Sequence, residues 1–276
     1  MSTNTIASKD GTKIAYDRTG EGPAVILVHP AFGHRMGNPE FAELARLLSS
    51  FGYSVYSYDR RGRGESGDTQ PYAVQREIED LAAVISAAGG SAAVYGMSSG
   101  AALALWAANK GVPITSLALF EPPFIVDDSR PPVPASFRSE LESLNAAGRR
   151  GDAVALFMTT VGTPAEMVAQ LRTQPWFAGL EAVAPTLAYE AAIMDGTQTG
   201  RPLSRSLTEH VTQPTLVIVS SPGVPWMHHG CQALVDALPD ARLVELEGEF
   251  HALKPEVLAP AISEFLGGSS DRGHVT

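Results

Sequence analysis

The sequence predicts an α/β protein with a mostly parallel central sheet, helices on both faces of the sheet, and an inserted helical cap. Three observations support this fold class: short apolar runs suit strands that are buried on both faces, helical segments alternate with those runs, and the alternation is interrupted once. With 276 residues, the chain is long enough for one large domain that carries an inserted subdomain.

The predicted strands are short and rich in β-branched and other apolar residues: AVILVH (24–29), YSVYSYD (53–59), AAVYG (92–96), SLALF (116–120), TLVIVS (215–220) and RLVELE (242–247). Helical patterns occur at 39–50, 72–88, 99–109, 229–238 and 256–266. This alternation predicts parallel strands joined by right-handed crossovers. Ahead of the first strand, GTKIAYDRTG (11–20) alternates polar and apolar residues and indicates an antiparallel edge strand.

The interruption spans residues 122–212. It begins with PPFIVDDSRPPVP, whose prolines cannot continue a helix or a central strand, and then becomes helical. We expect these helices to form a cap over the carboxyl edge of the sheet, so that the core consists of residues 1–121 and 213–276.

The composition excludes several classes of partner. The net charge is −10, from 20 basic and 30 acidic residues, and no basic run exceeds RRGR, so nucleic acid is not an expected partner. No apolar run approaches the ~20 residues of a membrane-spanning helix. The N-terminus carries neither a signal-peptide pattern nor a lipidation motif, and we therefore expect a cytoplasmic protein.

The single cysteine, Cys231, lies in an amphipathic helical pattern that predicts a buried structural thiol. Nothing in the sequence indicates an oligomeric state.

The motif GMSSG (96–100) places Ser98 between two glycines, directly after a predicted strand and before a predicted helix. This context is typical of a nucleophile elbow, in which a strained turn exposes a serine at the edge of the sheet. The alternative is a serine that caps an ordinary helix, which suits Ser99 better than Ser98. We interpret Ser98 as the nucleophile.

A second loop follows the first predicted parallel strand, at HPAFG (29–33). A loop in this position can supply one amide of an oxyanion hole, and the residue after the nucleophile supplies the other. The backbone N–H groups of Ala31 and Ser99 are therefore the predicted donors. His29 ends the strand, where its ring is expected to hold the loop in place instead of acting in catalysis. The charged run DRRGRGESG (59–67) is predicted to be a solvated loop.

His251 lies in a loop after the last predicted strand and before the last helix. Hydrolases with a nucleophile elbow carry their triad in the order serine, acid, histidine along the chain, which makes His251 the predicted base. His228 and His229 are adjacent and point apart on a helix, so they do not form a metal pair. No nucleotide or metal motif is present, and we expect neither a cofactor nor a metal.

Four motifs occur in the order found in the α/β-hydrolase superfamily: HPAFG, DRRGRGESG, GMSSG and GEFHALKPEVLAPAISEFL. Over nearly its whole length the chain resembles that superfamily, with Pro30 at a place where glycine is common. The resemblance implies the α/β-hydrolase fold and a serine hydrolase.

The position of the triad's acid differs from the usual pattern of the superfamily. Most members carry an aspartate just after the strand that reads PTLVIVS here, whereas this chain has SPGVPW (221–226) with no carboxylate. Zearalenone-type lactone hydrolases take a glutamate after the preceding strand, and GMSSGA and FEPP are similar to their motifs. This resemblance implies Glu121 as the acid. Asp127 and Asp128 are competitors, and Asp195 lies in the cap. Alternatively, Glu121 only caps the turn at Pro122 and Pro123.

These residues together predict a cofactor-free serine hydrolase that cleaves a carboxylic ester or lactone of a small to medium apolar molecule. The predicted substrate pocket is lined by Phe32, Trp226, Trp176 and Phe124. Two alternatives remain. The same scaffold supports perhydrolysis, lyase chemistry or carbon–carbon bond hydrolysis, and a chain with a broken triad would be a non-catalytic small-molecule-binding protein.

Overall fold

The computed structural model describes residues 4–270, which form an α/β structure around one central sheet. Its strands within that range are β1 (Asn4–Ala7), β2 (Lys13–Thr19), β3 (Ala24–Val28), β4 (Ser54–Tyr58), β5 (Ala92–Met97), β6 (Ile114–Phe120), β7 (Thr215–Ser221) and β8 (Ala241–Glu247). Their order in the sheet is β1-β2-β4-β3-β5-β6-β7-β8. The pairs β1/β2 and β2/β4 are antiparallel, and all the other pairs are parallel.

Helices cover both faces of this sheet. The α-helices within the described range are α1 (Pro39–Ser50), α2 (Val74–Ala87), α3 (Ser99–Asn109), α4 (Phe137–Ala146), α5 (Arg150–Val161), α6 (Ala165–Leu171), α7 (Phe177–Val183), α8 (Leu187–Ile193), α9 (Pro225–Ala237) and α10 (Pro255–Ser270). Residues of α1 and α10 share one hydrophobic cluster with the sheet, and residues of α2, α3 and α9 share another. The predicted α/β fold class is confirmed.

The antiparallel end of the sheet differs from the prediction in one respect. The segment predicted as the edge strand forms β2, which pairs antiparallel with β4 as expected. However, β1 lies outside it, with Asn4 opposite Tyr16 and Ala7 opposite Lys13. The four residues of β1, NTIA, are mostly exposed and too short to show an apolar alternation by which the strand could be recognised.

Helices α4 to α8 lie between β6 and β7, in the segment predicted as a cap. Their apolar side chains form a third hydrophobic cluster, which includes Phe137, Leu141 and Phe157. Ala31 and Phe32, from the loop after β3, pack against this cluster. Because that loop lies at the carboxyl edge of the sheet, these helices lie over the same edge. The domain boundaries near residues 121 and 212 stay a prediction.

The arginine-rich run after β4 is buried, so the prediction of a solvated loop is wrong. Arg60, Arg61 and Arg63 are each at most 2% exposed. Glu77 of α2 accepts two hydrogen bonds from Arg60, at 2.7 and 2.9 Å, and Asp80 accepts two from Arg61, both at 2.7 Å. Charges can be buried when they are paired and hydrogen-bonded in this way. The partners come from a helix further along the chain, so the run itself does not reveal its burial.

Two further expectations concern single features of the chain. The Cys231 side chain is fully buried, as predicted, and burial raises the pKa of its thiol. Between residues 4 and 270, no helix has both the length and the apolar character needed to cross a bilayer.

Candidate active site

Ser98 occupies a sharp turn between β5 and α3. Its backbone has φ 56° and ψ −126°, its N–H donates to Phe120 O at 2.9 Å, and its side chain does not cap α3. A Cβ atom at Gly96 would lie 2.5 Å from Gly100 O, and one at Gly100 would lie 2.5 Å from Val28 O. The two glycines therefore allow the strand, the turn and the helix to approach closely, as the elbow interpretation requires.

His251 and Glu121 form a hydrogen-bonded pair, with 2.7 Å between His251 Nδ1 and Glu121 Oε2. The glutamate side chain is fully buried, whereas the histidine side chain is 30% exposed. A carboxylate only accepts hydrogen bonds, so Nδ1 carries the ring hydrogen. His251 Nε2 is then the nitrogen that can accept a proton.

The second oxygen of Glu121 is held by Ser220, near the carboxyl end of β7. Glu121 Oε1 accepts hydrogen bonds from Ser220 N at 2.9 Å and from Ser220 Oγ at 2.5 Å. Burial raises the pKa of Glu121, but the hydrogen bonds from His251 and Ser220 outweigh burial and keep this pKa below its usual value. Sequence reasoning missed Ser220. Its signal is a polar residue at the end of an otherwise apolar strand.

We expect Ser220→Ala to weaken this support without removing it, because the backbone N–H still donates to Glu121. The pKa of Glu121 should rise, so that the carboxylate is lost at a higher pH than in the wild type as the solution is acidified. Loss of one hydrogen bond to a charged group should lower kcat/KM by roughly tenfold at neutral pH. A pH profile of kcat/KM measures both effects.

Ser221→Ala is the matched control for that variant, because Ser221 ends the same strand and its carbonyl accepts from Gly248 N, while Glu121 is held by Ser220. Ser221→Ala should reproduce the wild-type profile. If Ser220→Ala also reproduces it, the hydroxyl has no influence on Glu121.

The competing carboxylates lie elsewhere. Asp127 Oδ2 is 2.6 Å from His229 Nδ1, and its other oxygen accepts from Ser129. Asp128 and Asp195 are exposed. Of the carboxylates considered as the acid, Glu121 is the one that the structure brings to His251.

Backbone strain is concentrated at this site. Among the described residues, a positive φ at a residue other than glycine occurs at Phe32 (62°), Ser98 (56°), Glu121 (46°) and His251 (60°). Such conformations cost ~1–3 kcal/mol each and persist where surrounding structure enforces them, often at functional sites. All four residues belong to the predicted site, which indicates that the fold holds these side chains in place at the expense of stability.

The loop after β3 presents the candidate oxyanion donors. The backbone N–H groups of Ala31 and Ser99 have no hydrogen-bond acceptor among the residues that the structure describes. Ser99 is the first residue of α3, where helix amides lack intrahelical partners and favour negative charge. Both amides are therefore available to an oxygen that develops charge.

His29 has the structural environment that the sequence indicates. Its Nε2 lies 2.9 Å from Ser57 Oγ, and its ring stacks on Phe41 at a centroid distance of 4.2 Å. Burial lowers the pKa of His29 to about 3, and the charges of Arg63 and Arg60 add to the effect. The ring is neutral at physiological pH and supports the loop.

The ring of His251 lies beside two aromatic rings, with its centroid 6.0 Å from that of Phe120 and 5.5 Å from that of Phe250. Within the described residues, no hydrogen bond joins Ser98 Oγ to this ring. Catalytic hydrogen bonds of this type are often long without substrate and shorten when substrate binds.

The predicted pocket residues have different environments. Phe32 contacts Phe157 of the cap helices edge-on at 5.4 Å, and Trp226 contacts Phe250 edge-on at 6.2 Å. Trp176 is 53% exposed at the start of α7, and its place in a pocket stays a prediction. The prediction that Phe124 lines the substrate pocket is wrong. Its side chain is fully buried in the core cluster that includes residues of α9, and it therefore lines no accessible pocket.

Comparison with known proteins identifies the family of this chain. Residues 25–261 match the model of the alpha/beta hydrolase family, and the chain belongs to that family. It is 51% identical to an alpha/beta hydrolase from Sphaerobacter thermophilus, with a TM-score of 0.87, over 95% of this chain and 100% of that one. No curated protein matches the chain.

Two more distant structures share the fold. A thermophilic esterase from Thermogutta terrifontis is 21% identical, with a TM-score of 0.69 and coverage of 100% of both chains. An enol-lactonase from Burkholderia xenovorans is 19% identical, with a TM-score of 0.68, and covers 97% of this chain and 100% of its own. At this identity the likeness establishes the fold alone.

Proposed function

We propose that this alpha/beta hydrolase cleaves a carboxylic ester or lactone through a triad of Ser98, His251 and Glu121. The observation that supports the proposal most strongly is the 2.7 Å pair of His251 Nδ1 and Glu121 at the edge where the strained Ser98 emerges. Phe120 is paired in register with Met97, so Glu121 and Ser98 directly follow neighbouring positions on adjacent strands. The proposed nucleophile and acid therefore lie at the same edge of the sheet, and the acid holds His251 by its hydrogen bond.

In the first half of the reaction, Ser98 Oγ attacks the substrate carbonyl and His251 Nε2 takes the hydroxyl proton. The Glu121 carboxylate stabilises the imidazolium and keeps the hydrogen on Nδ1. The N–H groups of Ala31 and Ser99 bind the oxyanion. When the tetrahedral intermediate collapses, His251 returns the proton to the leaving alkoxide and an acyl-serine forms.

In the second half, a water molecule attacks the acyl-serine while His251 Nε2 accepts its proton. The second tetrahedral intermediate expels Ser98 Oγ, which regains a proton from His251, and the carboxylic acid leaves. Every group in this scheme is a protein group or water, so the scheme needs no cofactor. For a lactone, the acid and the alcohol stay in one ring-opened product.

The substrate class rests on two observations. The esterase and the enol-lactonase with which the chain shares its fold support ester or lactone chemistry. The aromatic side chains of Phe32 and Trp226, each in contact with a second ring near the site, support a small to medium apolar substrate.

We expect a fluorophosphonate probe to label the protein stoichiometrically at Ser98, and p-nitrophenyl butyrate to be hydrolysed with a burst of p-nitrophenol. Peptide mass spectrometry identifies the labelled serine, and absorbance measures turnover. Neutral aliphatic and aromatic esters or lactones should be better substrates than highly charged ones in a panel. Inert protein in both assays would instead favour a non-catalytic binding protein.

A further inference from the structure

Two buried arginines hold the backbone of the loop that presents Ala31. Arg60 Nη1 donates to His29 O at 3.2 Å, and Arg63 Nη1 donates to Pro30 O at 2.9 Å. The carbonyl of Pro30 belongs to the same peptide group as the N–H of Ala31. In a trans peptide these two groups point in opposite directions, so a donor on the carbonyl fixes the direction of the N–H.

The charge of Arg63 also acts through this peptide group. A hydrogen bond to a carbonyl from a charged donor polarises the amide and makes its N–H a better donor. Arg63 is fully buried, where such an effect is little screened by water. Burial and the nearby Arg60 lower the pKa of Arg63, but the Glu190 carboxylate in contact with it opposes this effect, and a guanidinium stays charged at neutral pH.

Glu190 of α8 sets the position of Arg63. Its carboxylate contacts Arg63 Nη2 and lies 3.1 Å from Arg60 Nη1, while Arg63 Nε donates to Thr186 Oγ1 at 3.2 Å. Glu190 and Thr186 are both about 1% exposed. The segment between β6 and β7 therefore fixes the Arg63 guanidinium, which in turn binds the loop after β3.

We propose that Arg63, oriented by Glu190, is a positioning residue that aims and polarises the Ala31 N–H toward the oxyanion. This inference rests on the proposed hydrolase function and extends it to residues that do not touch the substrate. The interactions form a continuous chain from Glu190 through Arg63 and the Pro30–Ala31 peptide to the reacting oxygen. Its effect should appear in the transition state, where the oxyanion carries charge, and not in substrate binding.

The double variant Arg63→Met/Glu190→Leu tests this role. It removes a positive and a negative charge together, and Arg60, which also contacts Glu190, keeps its two hydrogen bonds to Glu77. No buried charge is then left unpaired, so we expect the fold to be retained. We expect kcat for p-nitrophenyl butyrate to fall by roughly 10- to 100-fold, less than the full loss of an oxyanion donor, with KM within about twofold. The inhibition constant of phenylboronic acid, which forms a tetrahedral adduct with a nucleophilic serine, should rise by the same factor as kcat falls.

Arg61→Met/Asp80→Leu is the matched control, because it removes an equally buried bidentate pair whose hydrogen-bond partners lie outside residues 29–33. It should keep the wild-type kcat and inhibition constant. Glu190→Gln, which preserves the side-chain volume, should give a smaller decrease in kcat in the same direction.

The outcomes are distinguishable. If the wild type turns over and is inhibited by phenylboronic acid, but the Arg63 double variant and Glu190→Gln keep its kcat and inhibition constant, the positioning role is overturned while the hydrolase function stands. A lower melting temperature with unchanged kcat also overturns it, because it reveals a purely structural ion pair. A wild type without turnover overturns both proposals.

Discussion

Ser98→Ala should abolish ester hydrolysis, with kcat lower by roughly 10⁴- to 10⁶-fold, because it removes the atom that attacks the substrate carbonyl in the first half of the proposed scheme. The fold should be retained, since the Ser98 side chain makes no capping hydrogen bond to α3 and stands at a partly exposed turn. The measurements are kcat for p-nitrophenyl butyrate, labelling by fluorophosphonate, and the melting temperature. Labelling should be lost while the melting temperature stays close to that of the wild type.

Ser99→Ala is the control for this variant. The Ser99 hydroxyl is buried without a hydrogen-bond partner among the described residues, and its proposed role uses only the backbone N–H. Removal of an unsatisfied hydroxyl is expected to be neutral or slightly stabilising, with most of the activity kept. If Ser99→Ala abolishes activity and Ser98→Ala does not, the nucleophile has been misassigned.

Glu121→Gln should lower kcat by roughly 10³- to 10⁴-fold, because the amide imposes the wrong histidine tautomer. Ser220 N and Oγ both donate to Oε1, so the amide oxygen takes that side and the amide nitrogen faces His251. His251 Nδ1 must then accept, which leaves the hydrogen on Nε2 and prevents that nitrogen from accepting the Ser98 proton. The hydrogen bonds to Ser220 persist, so the melting temperature should change little.

Asp127→Asn and Asp128→Asn are the comparison variants. Asp127 is paired with His229, and Asp128 is exposed, so neither substitution alters the His251 pair. Both should keep most of the wild-type kcat. Full activity in Glu121→Gln, together with its loss in one of these two variants, would contradict the assignment of the acid.

Local patterns were sufficient for the main elements of this protein. Strands β3 to β7 are largely buried runs whose apolar residues leave a direct trace in the sequence, and the predicted helix at 99–109 is α3. The edge strand β8 is only partly buried, but it was recognised from its apolar residues. The elbow could also be recognised locally, because the close approach of strand and helix requires glycine at positions 96 and 100. These features were recognised from residues that are close together in the chain, although the Cβ that Gly100 lacks would meet Val28 O of the more distant strand β3.

Other features depend on residues that are distant in the chain, and here the sequence was insufficient. The burial of Arg60, Arg61 and Arg63 depends on carboxylates of α2 and α8, and Phe124 is buried in a cluster that includes side chains of α9. The strand β1 is defined by its pairing with β2 and not by its own composition. A similar limit applied to Ser220, whose hydroxyl has a role only because Glu121 directly follows the neighbouring strand β6 and accepts its hydrogen bond.

The sequence by itself determined the α/β fold class, the turn at Ser98 and the order in which the candidate residues follow one another. The resemblance implied Glu121 as the acid but left Asp127 as a competitor, and only the tertiary structure decided which carboxylate meets His251. Glu121 and Asp127 are six positions apart after β6, and the fold pairs the first with His251 and the second with His229. Hydrophobic periodicity can be read from residues that are close together in the chain. The partner of a buried charged group depends instead on the order of the strands and on which distant elements supply hydrogen bonds where water is excluded.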